Sequence, residues 1–311
     1  MSVLYPVKSY LLSVKNSILH LKRAARYRLT TFLSMMVMGC VVVAALSVFA
    51  LPTHPLTVEG DRWLAITNVR GRVDFTPYQG STRRAQVGDR LASVGDILMT
   101  GPNASVRLIV DQQAGAVSMA ENSELRVRTL STTSRGGRIT VIDVLRGQIR
   151  MTVRSLTNPD SRLEIYTPAG ISGVRGTDFG VTVQPTGRTG VATSEGSVYA
   201  IAQGETVSVA ADRQTTMFPG EPPEPPEPLR DDPTLFVEAL SALPCSVPSN
   251  PMARVVGFTD EVNLIQINND SKALSREGRF DVVVPMSADR RVQISVLTPL
   301  GTEQQYVLVV P

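Results

Sequence analysis

Residues able to do chemistry are thinly spread along this chain of 311 residues. There are two histidines, His20 and His54, and two cysteines, Cys40 and Cys245. Both histidines precede the stretch, from about Gly60 onward, where strand-like patterning begins. A Ser-His-Asp relay or a histidine metal site within that stretch is therefore excluded. Cys245 has no histidine there to activate it. The glycines at 170, 173 and 176 are followed neither by Lys-Ser/Thr nor by a helical pattern, so they make no phosphate loop. Glu121 and Glu124 are the two carboxylates closest to a glycosidase pair, but nothing makes them converge; they read as solvated turn residues. Arg175 and Asp178, three apart across Gly176, read as a structural pair that steadies the turn. Arg126, Arg128, Arg150 and Arg154 fall on the polar faces of predicted strands. They read as a solvated charged face, with an anionic-polymer patch for cell-wall glycan or lipid head groups as the alternative. No catalytic residue, metal ligand or cofactor is assigned, and the chain reads as non-enzymatic.

The elements that must position any site are organised around Thr167-Pro-Ala-Gly-Ile-Ser-Gly-Val-Arg-Gly-Thr-Asp-Phe-Gly-Val-Thr-Val183. Its glycines permit a tight connection. The run after it predicts a strand with Phe179, Val181 and Val183 on one face and Gly180, Thr182 and Gln184 on the other. Upstream, strands are expected over 64–69, 73–78, 104–110, 125–130, 138–145 and 148–153, each burying one face and wetting the other. Two Val-Gly-Asp turns, at 87–89 and 94–96, lie seven residues apart. Val69-x-Gly71-x-Val73, Leu145-x-Gly147-x-Ile149 and Gly196-x-Val198 form a loose repeat, with a glycine ahead of each outgoing strand. Recurring short strands with glycine turns suit a sandwich, barrel or solenoid.

Thr167-Pro168-x-Gly170, Gly173, then Val174-Arg175-Gly176-Thr177-Asp178-Phe179, then Glu195-Gly196-Ser197-Val198, closing near Pro219-Gly220-Glu221, resembles the FecR domain. The resemblance covers about residues 60–220. It implies a solenoid-like all-β domain lying outside the inner membrane. Such domains occur in iron-dicitrate-type transmembrane signalling regulators and in other envelope proteins. The motif residues are carried over as structural or partner-binding positions.

Six basic residues (Lys8, Lys15, Lys22, Arg23, Arg26, Arg28) precede residue 31, and no acid occurs before Glu59. Without these six, the 31 Lys and Arg fall to 25, against 28 Asp and Glu. The body therefore offers no compositional case for nucleic-acid binding. Residues 31–51 carry no charge, and 21 residues at ~1.5 Å each span roughly the 30 Å hydrocarbon core. The basic flank puts residues 1–30 in the cytoplasm and the body in the periplasm. Two readings remain open: a retained single-pass anchor, or a signal peptide cleaved after Ala50, where Val48-Phe49-Ala50 fits the small-x-small rule.

Pro219 to Arg230 reads as a Pro/Glu linker, a semi-rigid spacer. Asp232-Pro233 predicts a short helix over 231–244, with Leu235, Phe236, Ala239, Leu240 and Leu243 as its apolar face. Residues 252–311 read as a small β-domain resembling bacterial immunoglobulin-like modules. The expected architecture is thus all-β: a FecR-like solenoid or sandwich at 60–218, then an immunoglobulin-like sandwich, preceded by one transmembrane helix. The leading functional reading is a membrane-tethered envelope protein that binds another envelope protein or polymer. The alternative is a FecR-type sigma-factor regulator linked to iron uptake; the family pattern calls for a larger helical inside domain than residues 1–30. The sequence leaves oligomeric state open.

Overall fold

The computed structural model describes residues 62–111, 114–243 and 251–311. The predicted tail and membrane span lie outside the described residues. Among the described residues no helix is long and apolar enough to cross a membrane, and every regular element is a β-strand. The described chain falls within one compact unit, Leu56–Pro311.

Seventeen strands build its first part. Sheet A runs β3 (Arg83–Arg84), β2 (Val73–Thr76), β5 (Ile97–Thr100), β8 (Glu124–Thr132), β9 (Arg138–Val153), β10 (Arg162–Tyr166), β11 (Ile171–Val174), β14 (Ser197–Ala202), β15 (Glu205–Ala210). Sheet B runs β4 (Arg90–Leu91), β1 (Leu64–Arg70), β6 (Ser105–Val110), β7 (Gly115–Met119), β9 again, β12 (Asp178–Val183), β13 (Thr189–Glu195), β16 (Arg213–Met217), β17 (Glu227–Pro228). Only β9–β10 is parallel among the described pairings. The result is a two-layer sandwich rather than a solenoid of parallel coils.

One apolar core lies between the layers. Leu98, Leu125, Val127 and Ile142 come from sheet A, and Ile66, Leu108, Ile149 and Met151 from sheet B, all fully buried. Alternation dictates this: one residue in two points inward along each strand. Each buried side chain of this size contributes about 1.5–3 kcal/mol. Strand β9 is one bent strand where two were expected. Its first half pairs with β8 and β10, and from Gly147 onward it pairs with β7 and β12. Gly147 has φ +86°, and a Cβ there would sit 2.2 Å from the Ser123 hydroxyl; only glycine fits such a bend. The sequence repeat marks these layer changes. Gly71 stands where the chain leaves sheet B for sheet A, between β1 and β2, and Gly196 where it does so between β13 and β14. The two Val-Gly-Asp turns are likewise equivalent. Gly88 N and Asp89 O bond Ile66 in sheet B, and Gly95 N and Asp96 O bond Val127 in sheet A. Each bond falls where its strand bulges.

The second part is a seven-stranded sandwich. One sheet is β18 (Phe236–Ala242), β19 (Met252–Phe258), β22 (Arg279–Pro285); the other is β21 (Asp270–Lys272), β20 (Leu264–Ile267), β23 (Arg291–Leu297), β24 (Glu303–Val309). Val255, Ile265, Phe280 and Ile294 are buried in its own core.

Two expectations need correction. The predicted helix at 231–244 is strand β18, paired antiparallel with β19. A helix this short is marginal by itself, and the β19 backbone offers a full ladder instead. The Asp232 carboxylate accepts the Thr234 amide at 2.9 Å, an Asx turn into a strand rather than a helix cap. The predicted spacer at 219–230 is pinned along β16. Glu224 N donates to Thr216 O at 3.0 Å, the Thr215 hydroxyl donates to Glu224 O, and β17 pairs with Arg213 and Gln214.

Candidate functional site

Thr167-Pro-Ala-Gly closes the β10–β11 hairpin. Thr167 N donates to Gly170 O at 2.9 Å, and the Thr189 hydroxyl donates to the Thr167 hydroxyl at 3.0 Å. Pro168 packs near Gly187. Strand β11, with Gly173 and Val174, belongs to sheet A, and β12, beginning at Asp178, to sheet B. Arg175-Gly176-Thr177 is therefore a crossing between layers, and Glu195-Gly196 is the return crossing beside it. A Cβ on Gly196, at φ +80°, would sit 2.5 Å from Gly176 O. A Cβ on Gly176, at φ +141°, would sit 2.7 Å from Ser155 Cα. Thr177 exchanges backbone hydrogen bonds with Val153, and Phe179 is fully buried. Gly176, Thr177, Glu195 and Gly196 thus meet at one double crossing between the sheets, while Thr167, Pro168 and Gly170 lie at the other end of β11, against the β12–β13 turn.

Arg175 and Asp178 do not pair. The Arg150 guanidinium donates to both Asp178 carboxylate oxygens, at 3.0 and 2.8 Å, because β9 and β12 are neighbours and Arg150 lies on the adjacent strand. This pairing holds Arg150 more firmly protonated than usual. Arg175 is exposed and makes no ion pair among the described residues. The arginines do not form one patch either. Arg126 and Arg128 share Asp143 on sheet A, while Arg150 and Arg154 follow sheet B. Glu124 bonds Arg146 at 3.2 Å. Glu121 is half-buried and accepts the Asn103 amide; burial pushes its carboxyl up, that amide pulls it down, and Glu303 pushes it up further. The two carboxylates are engaged separately. Among the described residues no group of three His, Cys, Asp or Glu could hold a metal ion.

The sequence reading missed what lies on the far face of β12. Gly180, Thr182 and Gln184 do not meet water; they are buried under the second sandwich. Gln148 Nε2 donates to Pro299 O at 2.7 Å and Arg150 to Leu300 O at 3.1 Å. The Thr182 hydroxyl donates to Val262 O, and Gln184 Nε2 donates to Glu261 O and Asn263 O at 3.1 and 3.0 Å. Gly180 makes the room: a Cβ there would sit 1.7 Å from Pro299 O. Arg188, at the β12–β13 turn and 2% exposed, donates to Ser275 O and Arg276 O and lies 3.5 Å from Glu261. Its guanidinium and that of Arg276 both sit over the Phe218 ring, at 4.9 and 4.0 Å. Burial pushes the Arg188 pKa down, against the pull of Glu261. Burial likewise pushes the Glu261 carboxyl up, opposed by Arg188. The visible signal was the polar run at 180, 182 and 184; it did not say that a protein surface would cover it.

A family profile matches part of this chain. The profile described as FecR protein matches residues 96–199. This chain carries a FecR domain. The matched span runs from Asp96, in the second Val-Gly-Asp turn, to Tyr199 on β14, and so includes both crossings of the motif. Two crystal structures of a proposed anti-sigma factor from Parabacteroides distasonis overlap part of this chain at 13% identity and a TM-score of 0.36. Each overlap covers 43% of this chain and 59% of that one, so the FecR-domain chain spans less than two thirds of the solved protein. A polysaccharide lyase overlaps 80% of this chain and 40% of its own length, at 12% identity and a TM-score of 0.17. Overlaps this loose carry neither fold nor function across. No curated protein matches the chain.

Proposed function

We propose that this chain is a FecR-type transmembrane signalling regulator whose exported body receives a partner. The observation that carries the reading is the FecR domain at residues 96–199. The uncharged run 31–51 is the membrane span, with residues 1–30 cytoplasmic under the positive-inside rule. The body is non-enzymatic and acts by binding. Its FecR domain and second sandwich move as one piece, because their contact is made by buried polar groups that lose both water and partner if parted. Binding of an envelope component biases that body between states and so changes what the cytoplasmic residues hold; a ligand shifts such an equilibrium only by its differential affinity. A sigma factor is the output partner that the family resemblance implies.

The test is affinity purification of the tagged full chain from native membranes after cross-linking, with a second chain lacking residues 2–30. Enrichment of a sigma factor by the full chain alone is the expected result. Equal or absent enrichment overturns signalling and leaves an envelope-binding protein with no cytoplasmic output.

A further inference from the structure

A cleft of about 500 Å³ opens where β17 and the β19–β20 connection meet the start of β18. Its apolar wall is Phe236 and Phe258, stacked at 4.7 Å and 53% and 38% exposed. The rings are cross-strand partners on the β18–β19 ladder, and their exposed faces give the cleft an apolar wall. Its rim carries the carboxylates of Glu227, Asp232, Asp260, Glu261 and Glu277, and a single lining guanidinium, Arg230. Arg230 is taken by Glu227 and Asp260, and Glu261 is held from behind by Arg188. Asp232 and Glu277 are in no ion pair among the described residues. Asp232 accepts the Thr234 amide and hydroxyl, and Glu277 accepts its own amide and the Ser275 hydroxyl, with Arg276 and Arg188 acting on Glu277 only through space. The surplus in the cleft is therefore negative beside an aromatic wall.

One more feature selects the kind of ligand. Strand β18 begins at Phe236 and is the edge of its sheet; among the described residues only β19 pairs with it. Its outer backbone groups are free to take another strand, the route by which extended peptides add to sheets. A basic side chain projecting from such a peptide fits the cleft beside it. An alkyl stem lies over apolar rings while the charged head reaches water or acids, and a guanidinium over a phenyl face is attracted by its quadrupole.

We propose that the Phe236–Phe258 cleft and the free edge of β18 together bind an extended, cationic segment of a partner protein, an arginine or lysine of that segment lying over the phenyl pair between Asp232 and Glu277. The assignment deepens the regulator reading by giving the chemistry of the partner that the body receives. It is tested on the purified protein without reference to signalling, so either can fail alone.

The probe is a fluorescent, acetylated and amidated heptapeptide of alternating valine and arginine, titrated with the full chain in nonionic detergent. Its counterpart has glutamate for arginine. The expected result is saturable binding of the arginine peptide, at least about tenfold tighter than the glutamate peptide and weakened by salt. Two double variants, Phe236→Ser with Phe258→Ser and Asp232→Asn with Glu277→Gln, each weaken it by about tenfold or more. All four positions are on the surface, and an unchanged melting curve certifies the fold of each variant. Equal binding of both peptides overturns the proposal. So does the absence of saturation below about 1 mM, or binding that survives both double variants. Self-association of the chain that Phe236→Ser abolishes would assign the cleft to a second copy and overturn it equally.

Discussion

The two sheets of the FecR domain share one core, yet their outer faces have opposite fates. On sheet A the outward residues meet water. Arg126 and Arg128 sit over Asp143, Tyr199 is 49% exposed, and a Cβ added to Gly173 would meet nothing within 4 Å. On sheet B the outward residues of β12 are sealed beneath the second sandwich. Gln148, Thr182 and Gln184 spend their hydrogen-bonding groups on its loops, and Gly180 yields room for Pro299. Both faces read as polar alternation in the sequence. Alternation reports which way side chains point, not what meets them. A polar face built from Gln, Thr and Gly, which can be buried when hydrogen-bonded, suits another protein surface. One built from Arg, Asp and Tyr suits solvent.

The sharpest way to break this contrast is Arg188→Met. It removes the guanidinium that caps Ser275 O and Arg276 O and faces Glu261. Each hydrogen bond lost from a charged donor costs about 1.5–3 kcal/mol. Hydrogen exchange is expected to accelerate in residues 259–263 and 274–276 while sheet A stays protected. Uniform acceleration through both sheets would mean the docked sandwich and the FecR core are a single cooperative unit. Gly180→Ala comes next. Its Cβ meets a backbone carbonyl, not a flexible tip, so the turn at 298–302 must lift. Overpacking of this kind costs about 1–3 kcal/mol, read as a lower Tm and faster exchange at Gly301. An unchanged Tm would show that the Pro299 turn is not seated against β12.

A gentler probe uses pH. Burial raises the Glu261 carboxyl above its ordinary 4.5, with Arg188 opposing and Glu224, Glu227 and Asp260 reinforcing. The folded chain then holds that proton more readily than the unfolded one. The resulting stabilisation is complete below 4.5 and is lost as pH rises through the raised value. Glu261→Gln removes this dependence and leaves the other carboxylates in place. The Tm of the variant relative to the native chain is therefore expected to climb from below pH 4.5 to neutrality. A difference constant with pH would show that Glu261 keeps its ordinary affinity for protons.

How much of this was legible differs by element. Strands β1, β6 and β8 follow alternation, and the FecR motif named its crossing, because glycine at a layer change is demanded by local backbone geometry. The docking of Gln148, Gln184 and Arg188 was not legible. Each contact joins residues more than 75 positions apart, and no local pattern encodes such a pairing. Strand β18 was misread for a related reason. Its leucines and Phe236 sit at spacings that a helix also satisfies, and the choice was made by β19, a strand that the local pattern did not contain. The Phe236–Phe258 stack follows from that pairing and was invisible with it.

Gly173→Ala is the smallest expected effect and the counterpart of Gly180→Ala. Both glycines lie inside strands and neither requires a positive φ. Gly173 sits between Glu164 and Tyr199 on sheet A. Glycine within a strand costs about 0.5–1 kcal/mol relative to alanine, through the freedom it adds to the unfolded chain. At 173 nothing on the folded side opposes that gain, so the Tm should rise by a degree or two. At 180 the carbonyl of Pro299 outweighs it. Opposite signs for one substitution at two glycines seven residues apart would establish that the outer faces differ in what covers them. A fall in Tm at 173 would mean that sheet A is also covered, by a surface beyond the described residues.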